Sequence, residues 1–255
     1  MKVFAIALNT AREAIRNRIL YSILFFAALM VGVAALFGAA SLGDRMKFIK
    51  DFSLMGISLF GVIIAIVLGV NLLHQELGKK TIFNVLSKPV ARWQFIAGKF
   101  LGLLVTVTLM IALMCTALVG FLSFLEGRVD WGLTLAAGMA VLEVMVVIAV
   151  ALFFSSLVVT PTLAGLFTAA TFVAGRSSGH LHYFTREQYP PAAKTIARAL
   201  SWMLPRLDRF NIADQVVYGD HIEIGYLLAV SVYAFAYTGI LLLLGTVLFT
   251  RREFT

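Results

Sequence analysis

The chain alternates between long apolar runs and short polar stretches. Six runs are each long enough to cross a bilayer, since about 20 helical residues match a hydrocarbon core of about 30 Å. They are residues 19–40, 52–73, 100–125, 131–154, 157–175 and 224–250. The pattern therefore predicts an all-α polytopic membrane protein, with six transmembrane helices in a single transmembrane domain that covers residues 1–255.

Two of these runs have a second interpretation. Residues 19–40 end in small residues, as a signal peptide does, but the run is longer than a signal h-region and a long polar segment precedes it. We therefore expect it to be retained as the first span. Residues 157–175 contain Pro161, so the fourth and fifth runs can also form a tight re-entrant pair.

Residues 2–17 come before the first run and have helical periodicity. Phe4, Leu8, Ala11 and Ile15 fall on one face, and polar side chains fall on another. We predict an interfacial amphipathic N-terminal helix that lies flat on the membrane. The alternative is a simple extension of the first span past the bilayer edge.

Composition excludes a soluble enzyme. The 255 residues are 61% apolar and 13% charged, whereas soluble domains are about 45–50% apolar and about 25% charged. Six spans leave too little polar sequence for a soluble catalytic domain. The single cysteine, Cys115, excludes an internal disulfide and a cysteine metal cluster.

The net charge of +8 predicts the orientation. In a protein this apolar, basic residues indicate contact with anionic lipid rather than with nucleic acid. Residues 1–18, 74–99 and 251–255 carry eleven Lys and Arg against three acidic residues, whereas the alternate loops carry ten against nine. We therefore place both termini in the cytoplasm of a bacterial or archaeal cell, and 176–223 in a long outer loop.

The cytoplasmic stretch 74–99 is too apolar for a solvated linker. Its apolar residues form two short helical faces on either side of Pro89, which hinges them. The first face consists of Ile82, Phe83 and Leu86, and the second of Trp93, Ile96 and Phe100. Such a pair of faces either binds a cytoplasmic partner or lies on the membrane, and the helical pattern does not choose between them.

Short motifs in this region resemble a known family. They are Glu76-x-Gly78-x-x-Thr81, Leu86-Ser87-Lys88-Pro89-Val90 with Arg92, and Gly98-Lys99-Phe100-Leu101-Gly102. Together with the chain length and number of spans, they resemble the loop after the second span of ABC-2 type transporter permeases. Lys79-Lys80 departs from that pattern, because such loops more often have acidic or small residues there.

The resemblance implies an exporter subunit that works with separate ATPase subunits docked in the cytoplasm. Two permease copies, for which we expect a homodimer, would form the membrane path, and an accessory protein outside the membrane is compatible with it. The residues implied in ATPase coupling are Glu76, Gly78, Thr81, Phe83, Ser87, Pro89, Arg92 and Trp93.

No cofactor is expected on this chain, and ATP and Mg are expected on the partner ATPase. Gly78-Lys79-Lys80-Thr81 differs from the phosphate-binding pattern G-x-x-x-x-G-K-[ST], because Leu73 replaces its first glycine and Lys80 its Ser or Thr. We assign no catalytic residue.

Two polar residues fall inside predicted spans. Glu143 is the only ionisable residue near the middle of one, where a charge costs about 2.5–3.5 kcal/mol, so it must face protein or water. It either lines a substrate route or relays protons, or it fixes packing by hydrogen bonding across helices. No partner base is visible in the other predicted spans. Asn71 is predicted to cap a helix end or to contact another helix.

Two other functional classes remain as alternatives. A membrane-embedded lipid-modifying enzyme would use Glu143, His180 and His182, and an ion-coupled secondary transporter would use Glu143. His180-x-His182 has no carboxylate or cysteine beside it, so we assign no metal site.

Two patterns concern helix packing. Gly98-x-x-x-Gly102 permits close approach of another helix, and it is weak evidence for dimerisation. The outer loop contains a predicted amphipathic helix after Pro190-Pro191, with Ile196 and Leu200 on its apolar face.

Overall fold

The fold was analysed in a computed structural model. It describes residues 2–17, 45–78, 91–127, 130–158, 160–181 and 204–251, with scattered positions between 21 and 36. The described helices are α1 (Lys2–Ile15), α2 (Arg45–Gly78), α3 (Arg92–Glu126), α4 (Trp131–Leu157), α5 (Pro161–Arg176), α6 (Ser178–Leu181), a 3-10 turn (Leu207–Phe210), α7 (Ala213–Tyr218) and α8 (Ile224–Arg251).

Within the described residues, four helices are long and apolar enough to cross a membrane. These segments are Met46–Leu72, Arg92–Glu126, Trp131–Leu157 and Ile224–Thr250, and they include most of the second, third, fourth and sixth predicted spans. The fifth run forms α5, whose 16 residues extend about 24 Å and fall short of a full crossing. The first run lies largely outside the described residues, so the count of six stays a prediction.

Helix α4 is the centre of the bundle. It packs against α2, α3, α5 and α8, and all residues from Glu143 to Leu152 are buried. The sequence explains this position, because α4 is apolar on every side around Glu143 rather than along one stripe.

One end of the bundle holds the turn between α3 and α4, and we call it the loop end. Gly127 ends α3 in the left-handed region with φ 70°, which glycine adopts without steric cost. Asp130 caps α4 by accepting a hydrogen bond from the Gly132 amide at 3.0 Å. Lys50 of α2 binds Glu126 at 3.0 Å and Asp130 at 2.9 Å. These ion pairs stabilise the first turns of α2, immediately before the apolar run that begins at residue 52.

The segment 204–218 folds back onto the bundle at the loop end. Leu207, Phe210 and Ile212 are buried. The segment is fixed by hydrogen bonds from the Arg206 amide to the Tyr233 hydroxyl at 2.9 Å and from the Tyr226 hydroxyl to the Arg209 carbonyl at 2.6 Å. The amphipathic helix predicted after Pro190-Pro191 lies outside the described residues, which resume at Leu204.

The opposite end holds α1, the start of α3 and the end of α8, and we call it the terminal end. Helix α1 packs along the first turns of α3, where Gly98 and Gly102 face it. A Cβ atom on Gly102 would lie 2.5 Å from the Ala7 carbonyl oxygen and 2.6 Å from the Thr10 Cβ. Gly98 and Gly102 therefore permit close contact between α3 and α1 of the same chain.

Helix α1 has one face against α3 and one exposed face. Thr10 and Ala14 are buried, while Phe4 is 74% exposed. The helix ends at Ile15 and Asn17 is not helical, so the described residues do not extend it into a span. Its position at the membrane surface stays a prediction.

Candidate functional site

The residues implied in ATPase coupling belong to the terminal end where they are described. Glu76 and Gly78 lie in the last turn of α2, and Arg92 and Trp93 lie in the first turn of α3. Thr81, Phe83, Ser87 and Pro89, including the predicted hinge, lie outside the described residues. Both neighbouring helices therefore extend into the stretch 74–99.

The second predicted short helix is the start of α3. Trp93 is 56% exposed, but Ile96 and Phe100 are buried. The pattern predicted that these three residues form one exposed face, and this prediction is wrong. The reason is that α3 begins at Arg92 without a break, so Ile96 and Phe100 belong to the buried side of a long helix.

Arg92 connects the start of α3 to the end of α8. Its Nη1 donates hydrogen bonds to the carbonyl oxygens of Phe249 at 2.9 Å and Thr250 at 2.8 Å. These carbonyls end α8, where a cation also stabilises the helix dipole. The rings of Phe95 and Phe249 stack beside this contact with centroids 5.9 Å apart.

Lys99 connects the same turns of α3 to α1. Its side chain is 1% exposed, and its Nζ lies 3.7 Å from the Glu13 carboxylate. The first turns of α3 are thus attached to α1 on one side and to α8 on the other. A displacement of the start of α3 would therefore also displace α1 and α8.

A polar cluster lies inside the bundle around Glu143, apart from the contacts of Arg92 and Lys99. Arg176, the last residue of α5, donates from Nη1 to Glu143 Oε1, and Ser58 of α2 donates to Glu143 Oε2 at 2.8 Å. The same Nη1 lies 3.4 Å from Ser58 Oγ. We call these three residues the Glu143 cluster, which joins α2, α4 and α5.

The partners in the Glu143 cluster differ in burial. The Glu143 side chain is 2% exposed and the Arg176 side chain is 28% exposed. Removing one partner of a buried ion pair costs about 3–5 kcal/mol, because the other charge is left without compensation. The pair therefore makes the Glu143 carboxylate tolerable inside the bundle.

A small cavity adjoins the Glu143 cluster on the loop-end side. Its volume is about 20 Å³, which is enough for one water molecule. Ser58 and Glu143 line it from the bundle, and Phe210 to Ala213 line it from the folded-back segment. The cluster therefore lies directly beneath the segment that covers the loop end.

Arg176 is the member of the Glu143 cluster that sequence reasoning missed. The hydropathy pattern ended the fifth span at residue 175 and assigned Arg176 to the outer loop. The sequence did contain a signal for this pair. Glu143 lies before the turn between α4 and α5, Arg176 lies after it, and the two are nearly the same number of residues from the turn. Antiparallel helices place such positions side by side, about 21–23 Å from the turn.

The other predicted polar residues are placed as follows. Asn71 lies within α2, which continues to Gly78, so Asn71 does not cap the helix end. His180 lies in α6, and His182 lies outside the described residues. Among the residues that the structure describes, no three His, Cys, Asp or Glu side chains group to hold a metal ion.

Comparison with known families agrees with a transport role. The family model described as "ABC-2 family transporter protein" matches residues 4–254, which is nearly the whole chain. No individual curated protein matches the sequence closely enough to count as a relative. The match covers the four long apolar helices and the Glu143 cluster. The chain therefore belongs to the ABC-2 family of transporter proteins.

Proposed function

We propose that this chain is the permease subunit of an ATP-driven exporter and that it forms the membrane path as a homodimer. Cytoplasmic ATPase subunits dock at the terminal end through the stretch 74–99. The observation that carries this proposal is the family match over residues 4–254, since ABC-type transporters are driven by ATP and the sequence of this chain carries no phosphate-binding pattern.

The contacts of α3 supply a route for coupling. The stretch 74–99 ends in the first turns of α3. There Arg92 holds the end of α8, and Gly98 packs against α1, as Gly102 does in the next turn. A force from an ATPase on this stretch acts on three helices together. The start of α3 therefore functions as the junction through which ATP hydrolysis changes the bundle.

ATP and Mg bind to the partner ATPase in this proposal. The chain contributes the docking surface and the path, and the Glu143 cluster is its intramembrane polar site. A lipid-modifying enzyme or an ion-coupled transporter would work without a soluble ATPase. Copurification of an ATPase with the full chain therefore tests the proposal, and transport without nucleotide would contradict it.

Truncation of the predicted docking surface should weaken ATPase binding. Phe83→Ala or Trp93→Ala is expected to lower affinity by more than about 1 kcal/mol, roughly fivefold in Kd, if either aromatic ring anchors the interface. Pull-down titration of the purified chain with its ATPase measures this. The matched control is Trp131→Ala, because Trp131 is also exposed but lies at the loop end. Unchanged binding by the Phe83→Ala/Trp93→Ala double variant would exclude this docking surface.

The proposed orientation has its own test. In a Cys115→Ala background, Lys79→Cys should be protected from an impermeant thiol reagent in intact cells, and Arg186→Cys should react. The charge distribution places these residues on opposite sides of the membrane. Permeabilised cells provide the control, since both positions should react there. The reverse labelling pattern would overturn the orientation.

A further inference from the structure

Arg176 has hydrogen-bonding capacity that its protein partners do not use. A guanidinium group carries five N–H donors, and the contacts of Arg176 with Glu143 and Ser58 both come from Nη1. Within the described part of the chain, Nε and Nη2 have no partner. These two nitrogens form the side-on edge of the guanidinium, which matches two oxygens of a carboxylate or a phosphate.

The unused edge belongs to the exposed member of the pair. Arg176 retains 28% of its side-chain exposure, while Glu143 retains 2%. The remaining donors of Arg176 are accessible, so an acceptor from outside the described chain, either water or a ligand oxygen, completes this edge.

The surroundings of Arg176 indicate what kind of molecule supplies that acceptor. Met55 lies one helical turn from Ser58 on α2, and Val173 lies one turn from Arg176 on α5. Both are 61% exposed. A ligand with an anionic group and an apolar body satisfies the guanidinium and covers these side chains together.

We propose that Arg176 binds the phosphate or carboxylate group of an anionic amphiphile in the membrane. Glu143 and Ser58 act as positioning residues, because their contacts with Nη1 fix the guanidinium and leave Nε and Nη2 directed to the ligand. The Glu143–Arg176 pair is formally neutral, so recognition depends on the two parallel hydrogen bonds rather than on net charge. This site does not require ATP coupling.

Binding is tested on the purified full chain in a neutral detergent. The probe is dodecyl phosphate, with uncharged dodecanol as its control, and native mass spectrometry counts the molecules bound per chain. We expect one dodecyl phosphate per chain, and at least tenfold weaker binding to Arg176→Lys, which keeps the charge but loses the two-donor edge. Arg209→Gln removes an exposed arginine at the same end of the bundle and should bind as the wild type does.

A second variant guards against loss of folding. Glu143→Gln/Arg176→Gln leaves no isolated buried charge and should also lose binding, with its folding checked by thermal melting. Equal binding of dodecyl phosphate by the wild type, Arg176→Lys and the double variant would overturn the site. Equal binding of dodecanol and dodecyl phosphate by the wild type would overturn it as well.

Two further measurements identify the source of the amphiphile. A phospholipid that copurifies with the wild type and is lost from Arg176→Lys identifies a bilayer lipid. Stimulation of ATP turnover by dodecyl phosphate in the permease–ATPase complex, absent in Arg176→Lys, identifies a transported molecule, and this result alone rests on the proposed function. Failure of ATPase binding would contradict the proposed function and leave the binding result unchanged.

Discussion

Glu143→Gln should lower the free energy of unfolding by about 3–5 kcal/mol, because it leaves the Arg176 guanidinium partly buried without its counter-charge. The carboxylate accepts hydrogen bonds from both Arg176 and Ser58. An amide side chain of the same shape keeps one acceptor but cannot neutralise the cation. Unfolding of the purified chain by SDS titration measures the loss.

A double-mutant cycle separates the ion pair from other effects of the substitution. Arg176→Gln should also destabilise, whereas Glu143→Gln/Arg176→Gln should recover much of the loss, since no isolated charge remains. Ser58→Ala serves as a milder comparison and should cost about 1.5–3 kcal/mol, the net value of one hydrogen bond to a charged group. Additive losses in the double variant would show that the two residues do not act as a pair.

The double variant also tests whether the Glu143 cluster serves transport. If the pair only fixes the packing of α2, α4 and α5, the double variant should assemble with its ATPase and transport at the wild-type rate. We expect it to assemble and to lose substrate-stimulated ATP turnover, because the guanidinium that binds the proposed ligand and the carboxylate that positions it are both gone. Transport at the wild-type rate in reconstituted vesicles would make Glu143 and Arg176 packing residues.

The sequence predicted the long helices well and their ends less well. Apolar runs mark a bilayer span by length alone, so most of α2, α3, α4 and α8 was predicted. Helix α2 begins seven residues before the predicted start of its span, at Arg45. Hydropathy assigned Lys50 to a loop, but Glu126 and Asp130 pair with it in the folded bundle. A single sequence does not show such partners.

The sequence predicted one residue of the Glu143 ion pair and missed the other. Glu143 is conspicuous as a lone carboxyl in an apolar run, but its partner Arg176 lies at a helix end, where basic residues are common. The folded-back segment 204–218 consists of a 3-10 turn and a six-residue helix, which are too short for hydrophobic periodicity to reveal. Its contacts with Tyr226 and Tyr233 depend on tertiary packing.

Gly102→Ala should displace α1 from α3 and destabilise the chain. The new Cβ would lie 2.5 Å from the Ala7 carbonyl oxygen, and this backbone atom moves only if α1 moves as a whole. Overpacking of this kind costs about 1–3 kcal/mol. Alanine gains up to about 1 kcal/mol over glycine in a helix, so the clash should outweigh the gain.

Gly120→Ala is the matched control, because Gly120 lies in the same helix with no atom within 4 Å of an added Cβ. It should show the helix-propensity gain without the clash, so the two variants should change the unfolding free energy in opposite directions. Crosslinking between Glu13→Cys and Lys99→Cys with a bifunctional thiol reagent, in a Cys115→Ala background, reports the α1–α3 contact, because the native side chains lie 3.7 Å apart. Gly102→Ala should reduce the crosslinking yield. If α1 transmits force from the ATPase, the same variant should also bind the ATPase normally while its transport rate falls. Normal crosslinking and unchanged stability in Gly102→Ala would show that the glycine pair is not what holds α1 in place.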